Sequence, residues 1–283
     1  MIDNRCSHCI YQTYQRLIGE LNIGLSREDE FNSFFRELTS REIAQTAPQI
    51  HRELNMKFIE LTGNGDLFAH EKESSNQTAM DLYKIWKPRV QSSDDPFNLA
   101  MRIAIAGNIM DYGAGCSFDI NKTVDDVITA ELAIDDSSFL KQKTGESETI
   151  LYLGDNAGEI VFDRLFIETI NSGSVVYAVK SAPVLNDVTM KDAKDTGMDK
   201  VARVISNGYA APSTILSECS KEFLDIFSSA GLIISKGQGN LEGLISLKDP
   251  RLFFLLMAKC DVIADMLKVR KGSLVVANSC SSK

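Results

Sequence analysis

The chain has 283 residues, 44% of them apolar and 24% charged, with a formal net charge of −9. That length supports one large domain or two modest ones around a real core. The acidic balance argues against nucleic acid and against an anionic membrane surface as partners, since both attract basic surfaces; a small anionic substrate stays open, because a bound divalent cation inverts the local sign.

The opening, MIDNRCSHCIYQTYQR, is polar and has no signal-peptide core, and no run approaches the roughly 18 apolar residues of a membrane helix. Six cysteines, Cys6, Cys9, Cys116, Cys219, Cys260 and Cys280, are sparse and mostly isolated. Reduced thiols and a cytoplasmic location are the expectation.

Residues 1–145 read as helices. Ile10, Tyr14, Leu17, Ile18 and Leu21 recur at helical spacing. A second helix follows Ser26, whose hydroxyl can cap the amides ahead of Glu28 and Asp29. A third starts near Thr46, carries Ile50, Leu54, Phe58 and Leu61 on one face, and stops at Gly63. Another contains Met80, Leu82, Ile85 and Trp86. Asp95-Pro96 is an N-cap followed by proline at the first helical position, opening a helix through FNLAMRIAIAGNIMDYG. Thr123 caps one more, through Leu132. No strand is expected in this half.

Residues 146–283 change character. Apolar runs at 149–153, 174–179, 202–206, 231–235 and 273–278 are rich in β-branched residues and read as strands buried on both faces. Helical patterns lie between them, at 160–172 and 213–228. Strand–helix alternation points to a doubly wound α/β domain, in which ligands sit beyond the carboxyl ends of the strands.

The loops after the strands therefore carry the chemistry. They read GDNAGE (154–159), KSAPVLND (180–187), SNGYAAPST (206–214) and SKGQGNLEG (235–243). Asp155, Asn156 and Asp187 are hard oxygen donors suited to Mg²⁺, Mn²⁺ or a similar octahedral ion. GDNAGE is equally a turn leading into a capped helix. The three histidines, His8, His51 and His70, all lie in the helical half, so a His-rich zinc site is not expected. Gly237, Gly239 and Gly243 match neither a Walker A loop nor GxGxxG; a plain flexible loop competes with a phosphate cradle there. Asn108 and Asp111 share a helical face, either as an ordinary helix end before Gly113 or as a polar face aimed at a cleft. Cys6-Ser7-His8-Cys9 is a single CxxC, with structural packing the leading reading over a metal half-site or a redox dithiol. Cys116 follows AGNIMDYG closely enough to approach the same cleft, with ordinary buried packing the competing reading for a lone cysteine.

Taken together, GDNAGE, KSAPVLND and GQGN, with AGNIMDYG upstream and CSHC at the start, resemble the damage-control phosphatase family, long catalogued as domain of unknown function eighty-nine. The similarity is to its short stand-alone prokaryotic branch and covers nearly the whole chain in the expected order. It implies an all-helical N-terminal domain over 1–145, followed by a Rossmann-like three-layer α/β/α domain with a mostly parallel sheet over 146–283. It also implies divalent-metal-dependent hydrolysis (Mn, Ni, Co or Mg) of small phosphorylated metabolites such as sugar phosphates, in a damage-control role. Its metal ligands correspond to Asp155, Asn156 and Asp187, and its phosphate-contacting lysine to Lys259 in LLMAKCD. Lys180 and Asn186 fall in KxxPxxND, Asn240 in the glycine-rich segment, and Asn108 and Asp111 in the helical motif.

On this reading Lys259, with Lys180, offsets charge on the phosphoryl oxygens, and backbone amides near Gly239 and Asn240 add donors. Asp155 or Glu159 orients the attacking water. An aspartyl-phosphate on Asp155 is chemically open, but the DxD pattern is absent. The rivals are an S-adenosylmethionine-dependent carboxyl methyltransferase, against which the first loop lacks GxGxG, and a non-catalytic metal- or metabolite-binding protein.

Overall fold

A computed structural model describes residues 3–41, 46–107, 127–170 and 173–281. The β-branched runs of the second half become the middle of one seven-stranded sheet. In chain order its strands are β1 (Leu132–Asp135), β2 (Thr149–Leu153), β3 (Ser174–Val179), β4 (Arg203–Ser206), β5 (Leu232–Lys236), β6 (Leu252–Met257) and β7 (Leu274–Asn278). Their order across the sheet is β1-β7-β6-β5-β2-β3-β4. Neighbours run parallel except β6 and β7, which are antiparallel. The molecule is thus an α/β protein with a mostly parallel sheet and a helical N-terminal region.

Two strands were invisible to the sequence pattern. β6 is LFFLLM, an apolar run without β-branched residues, which periodicity alone cannot separate from buried helix. β1 has four residues and lies where a helix was expected to continue to Leu132, inside the stretch 1–145. Its pairing with β7, 142 positions away at Leu132 and Leu274, is a long-range contact that no local propensity reports.

The helices are α1 (Asn4–Leu21), α2 (Leu25–Ser40), α3 (Ala47–Thr62), α4 (Ala69–Gln91), α5 (Pro96–Gly107), α6 (Ser137–Glu146), α7 (Glu159–Thr169), α8 (Met190–Asp195), α9 (Lys221–Ser229), α10 (Gly237–Leu244) and α11 (Asp261–Leu267). Thr46 and the left-handed Gly63 bracket α3, and Asp95 caps α5 by accepting from Asn98 N–H at 3.3 Å. α2 begins a residue earlier than its expected cap: Gly24 precedes it and Ser26 is already helical. The pattern at 213–228 splits into a short 3₁₀ turn, Leu216–Glu218, and α9, because extended Cys219 and the capping Ser220 interrupt it.

Alternation along β2 separates the layers. Ile150 and Tyr152 enter a core shared with α4, α5 and α7, whereas Leu151 and Leu153 enter a second core shared with α9, α10 and α11. α1, α2 and α3 form a third, smaller core around Tyr14, Phe31, Leu54 and Phe58. Among the described residues no helix is long and apolar enough to cross a membrane.

Candidate active site

Parallel β2 and β3 are adjacent, so GDNAGE and KSAPVLND leave the sheet at the same edge. Backbone bonds then zip the two loops together. Asn156 and Asp187 form an isolated antiparallel bridge, Ala157 N–H donates to Asn186 O, and Val188 N–H donates to Asp155 O, the last two at 2.9 Å. The zipper places Asp155, Asn156 and Asp187 side by side, all buried. Asn156 Nδ2 donates to Asp155 Oδ2 at 2.8 Å, which leaves the amide oxygen as the ligand-type atom.

The glycine-rich segment is no flexible loop; it opens α10 against Asp155. Gly237 has φ +75°, and a Cβ there would collide with the Asp155 carboxylate. The same test at Gly239 meets the carbonyl of Pro212. These glycines therefore let a backbone pass between Asp155 and the loop after β4.

Lys180 and Asn240 brace this arrangement from beneath. Lys180 Nζ donates to Asn240 Oδ1 and Ser213 O, each at 3.0 Å, and stands 3.6 Å from Asp187 Oδ2. Asn240 Nδ2 donates to Gly154 O at 3.1 Å and to Lys236 O at 2.9 Å. Both side chains are buried and neither lines the cavity. They tie the loops after β2, β3 and β4 to α10.

Glu159 points the other way. Its fully buried carboxylate accepts from Lys236 Nζ at 2.5 Å; Lys236 also donates to Asp163 at 2.6 Å and to Ala104 O at 2.9 Å. Tyr152 and Tyr177 donate their hydroxyls to Asp163 at 2.8 and 2.9 Å. Burial pushes the Asp163 carboxyl up to about 6 against the pull of Lys236, and lifts both tyrosines well above their ordinary range. Glu159 belongs to this enclosed network and does not line the cavity described below.

The helical region also reaches the loops. Asn76 of α4 accepts from Gly158 N–H at 2.7 Å and donates to Asp192 at 3.1 Å, while Asn55 of α3 donates to Pro183 O at 3.2 Å. A cavity of about 450 Å³ opens above these three oxygen donors, a volume suited to a small metabolite. Asp155, Asn156, Asn186, Asp187 and Gly239 form its floor, and Lys259 stands in its wall between β6 and α11. Its roof is helical: Cys6 and Cys9 of α1, and Ala47, Pro48 and His51 of α3. Burial holds the His51 imidazole down at about 4 and raises both thiols, Cys6 to about 11 with help from Glu242. Neither cysteine is a thiolate at neutral pH. Asn108, Asp111 and Cys116 lie outside the described residues.

Sequence reasoning missed Gln238, Glu242, Cys260 and His51, which line the cavity, and Asn76 and Lys236, which support it. Glu242 stood inside the quoted SKGQGNLEG motif, but the pattern did not show that this segment is helical and lines the cavity. Among the described residues no group of three or more His, Cys, Asp or Glu has metal-holding geometry. The donor set here is instead two carboxylates and one amide, which fits a hard cation completed by water or a phosphoryl oxygen.

Comparison with known proteins places this geometry in context. The family described as the Damage-control phosphatase ARMT1-like domain matches residues 2–275. The chain is 35% identical to a damage-control phosphatase of Pyrococcus horikoshii, over 97% of this chain and 96% of that protein. It is 33% identical to a damage-control phosphatase of Archaeoglobus fulgidus, over 84% and 83%. The crystal structure of a DUF89 family protein from Pyrococcus horikoshii superposes with a TM-score of 0.88 at 34% identity, covering 98% of each chain.

Proposed function

Because the chain belongs to the damage-control phosphatase ARMT1-like family, we propose that it is a divalent-cation-dependent phosphatase of small phosphorylated metabolites, sugar phosphates among them. The observation that carries the cation is the backbone zipper, which sets three oxygen donors, Asp155, Asn156 and Asp187, on the floor of a metabolite-sized cavity. A bound Mg²⁺, Mn²⁺, Co²⁺ or Ni²⁺ would supply Lewis acidity toward a phosphoryl oxygen.

The chain's own residues do the rest. Lys259 faces the cavity and offsets negative charge on the phosphoryl group. Asp155, the candidate of the pair that lines the cavity, aligns the attacking water. Lys180 and Asn240 keep Asp187 and Gly154 in register. The roof of α1 and α3 narrows water access over the floor.

The test uses protein stripped with chelator and resupplied with each cation in turn, with phosphate release followed from a panel of sugar phosphates. Asp187→Ala should lose Mn²⁺ binding, read by electron paramagnetic resonance, and lose turnover by at least about 100-fold, with its thermal midpoint little changed. Folded wild-type protein that binds a cation yet releases no phosphate from any ester would end this reading.

A further inference from the structure

Hydrolysis of a sugar phosphate expels an alkoxide, which leaves poorly unless it is protonated as the P–O bond breaks. Cation and lysine charge on the other phosphoryl oxygens does not supply that proton. A protonated group must stand in the same cavity, away from the ligand floor.

The acidic groups lining the cavity narrow the choice. Asp155 and Asp187 are taken by the floor. Asp261 has a solvent-exposed carboxylate, 3.9 Å from Lys271. His51, held at about 4 by burial, carries no proton to give at neutral pH, and the Cys6 thiol at about 11 is a weak donor. Glu242 remains. It lies on α10, one helical turn beyond Gly239 of the floor, and lines the cavity opposite the helical roof. Burial raises its carboxyl to about 7, so a large share of it is protonated near neutrality.

Resting on the phosphatase reading above, we infer that Glu242 is a catalytic residue, the general acid that protonates the leaving oxygen. The bond from phosphorus to the leaving oxygen breaks, and that oxygen departs with the electron pair. It takes the Glu242 proton and leaves as an alcohol. The incoming water oxygen bonds to phosphorus, and the proton that water releases restores Glu242 through solvent. The sum is ester plus water to alcohol plus inorganic phosphate.

The experiment compares wild type and Glu242→Gln, as full-length protein reconstituted with Mn²⁺, on a hexose phosphate and on 4-nitrophenyl phosphate, whose phenolate leaves without a proton. The amide keeps the size of the carboxyl and donates no proton in catalysis. Glu242→Gln should lose about 100-fold or more in kcat/KM on the sugar ester and less than about 5-fold on the aryl ester. Equal losses on both would make Glu242 a structural or positioning group and overturn the inference, as would no loss on either. Should the variant fail to fold, wild type alone decides on a series of substituted aryl phosphates: a shallow dependence of kcat/KM on leaving-group acidity supports proton donation, and a steep one overturns it. A wild type inactive on every ester with every cation removes the phosphatase reading itself, and Glu242 falls with it.

Discussion

Replacing Lys236 by methionine isolates the enclosed charge network beneath the loops after β2 and β5. The ammonium is fully buried between Glu159 and Asp163, at 2.5 and 2.6 Å. Methionine fills the space and leaves two carboxylates without their cation. Breaking a buried pair from one side costs about 3–5 kcal/mol. The penalty should also depend on pH. Burial already lifts Asp163 to about 6, above its unfolded value, and losing Lys236 lifts it further. A carboxyl with a raised folded pKa contributes stability below its unfolded pKa and loses it as pH rises through the folded pKa. Where wild-type Asp163 has already ionised, the variant still holds a proton, so it loses about 1.4 kcal/mol per pH unit relative to wild type. The gap should therefore widen as pH rises above about 6. Urea unfolding of both proteins at several pH values measures it. A loss below about 1 kcal/mol that stays flat with pH would show that the network is not held together by this ammonium.

Gly237→Ala forces a side chain into the Asp155 carboxylate at positive φ; it should destabilise by about 1–3 kcal/mol and weaken Mn²⁺ binding more than Gly272→Ala, a positive-φ control with open space around it, as titration calorimetry would show. Asn76→Ala removes the acceptor for Gly158 N–H and the donor to Asp192; a loss of about 1–3 kcal/mol in thermal or urea unfolding should come with a rise in hydrogen exchange at residues 154–159, and unchanged exchange there would mean α4 does not restrain the loop.

The fold was legible where the sequence carried β-branched runs ending in Gly, Asp, Asn or Lys, because such strands and their loops obey local rules. β1 escaped because an edge strand of four residues depends on its partner, and β6 because Leu, Phe and Met suit a helix equally. Within the site, motif position did not report which way a side chain points. Glu159 sits in the same motif as Asp155 and Asn156, but the first turn of α7 carries its carboxylate down to Lys236. Lys180 and Asn240 sit in motifs too, yet hydrogen bond to one another below the floor. Direction of a side chain at a loop–helix junction depends on what packs beneath it, and here that is a lysine 77 residues away.

The reversal of β7 against β6 has a topological dividend. A parallel crossover would carry the chain away to the far edge of the sheet after β6. Antiparallel β7 instead starts from the edge at which β6 ends, so the connection through α11 departs and returns beside the cavity. Lys259, Cys260, Asp261, Val262 and Lys271 all line the cavity from that one excursion. Residues 258–273 thus build one wall of the chamber from a single chain excursion, anchored at its base where Ala258 and Ser273 pair and tied to α1 through Asp265 and Arg5.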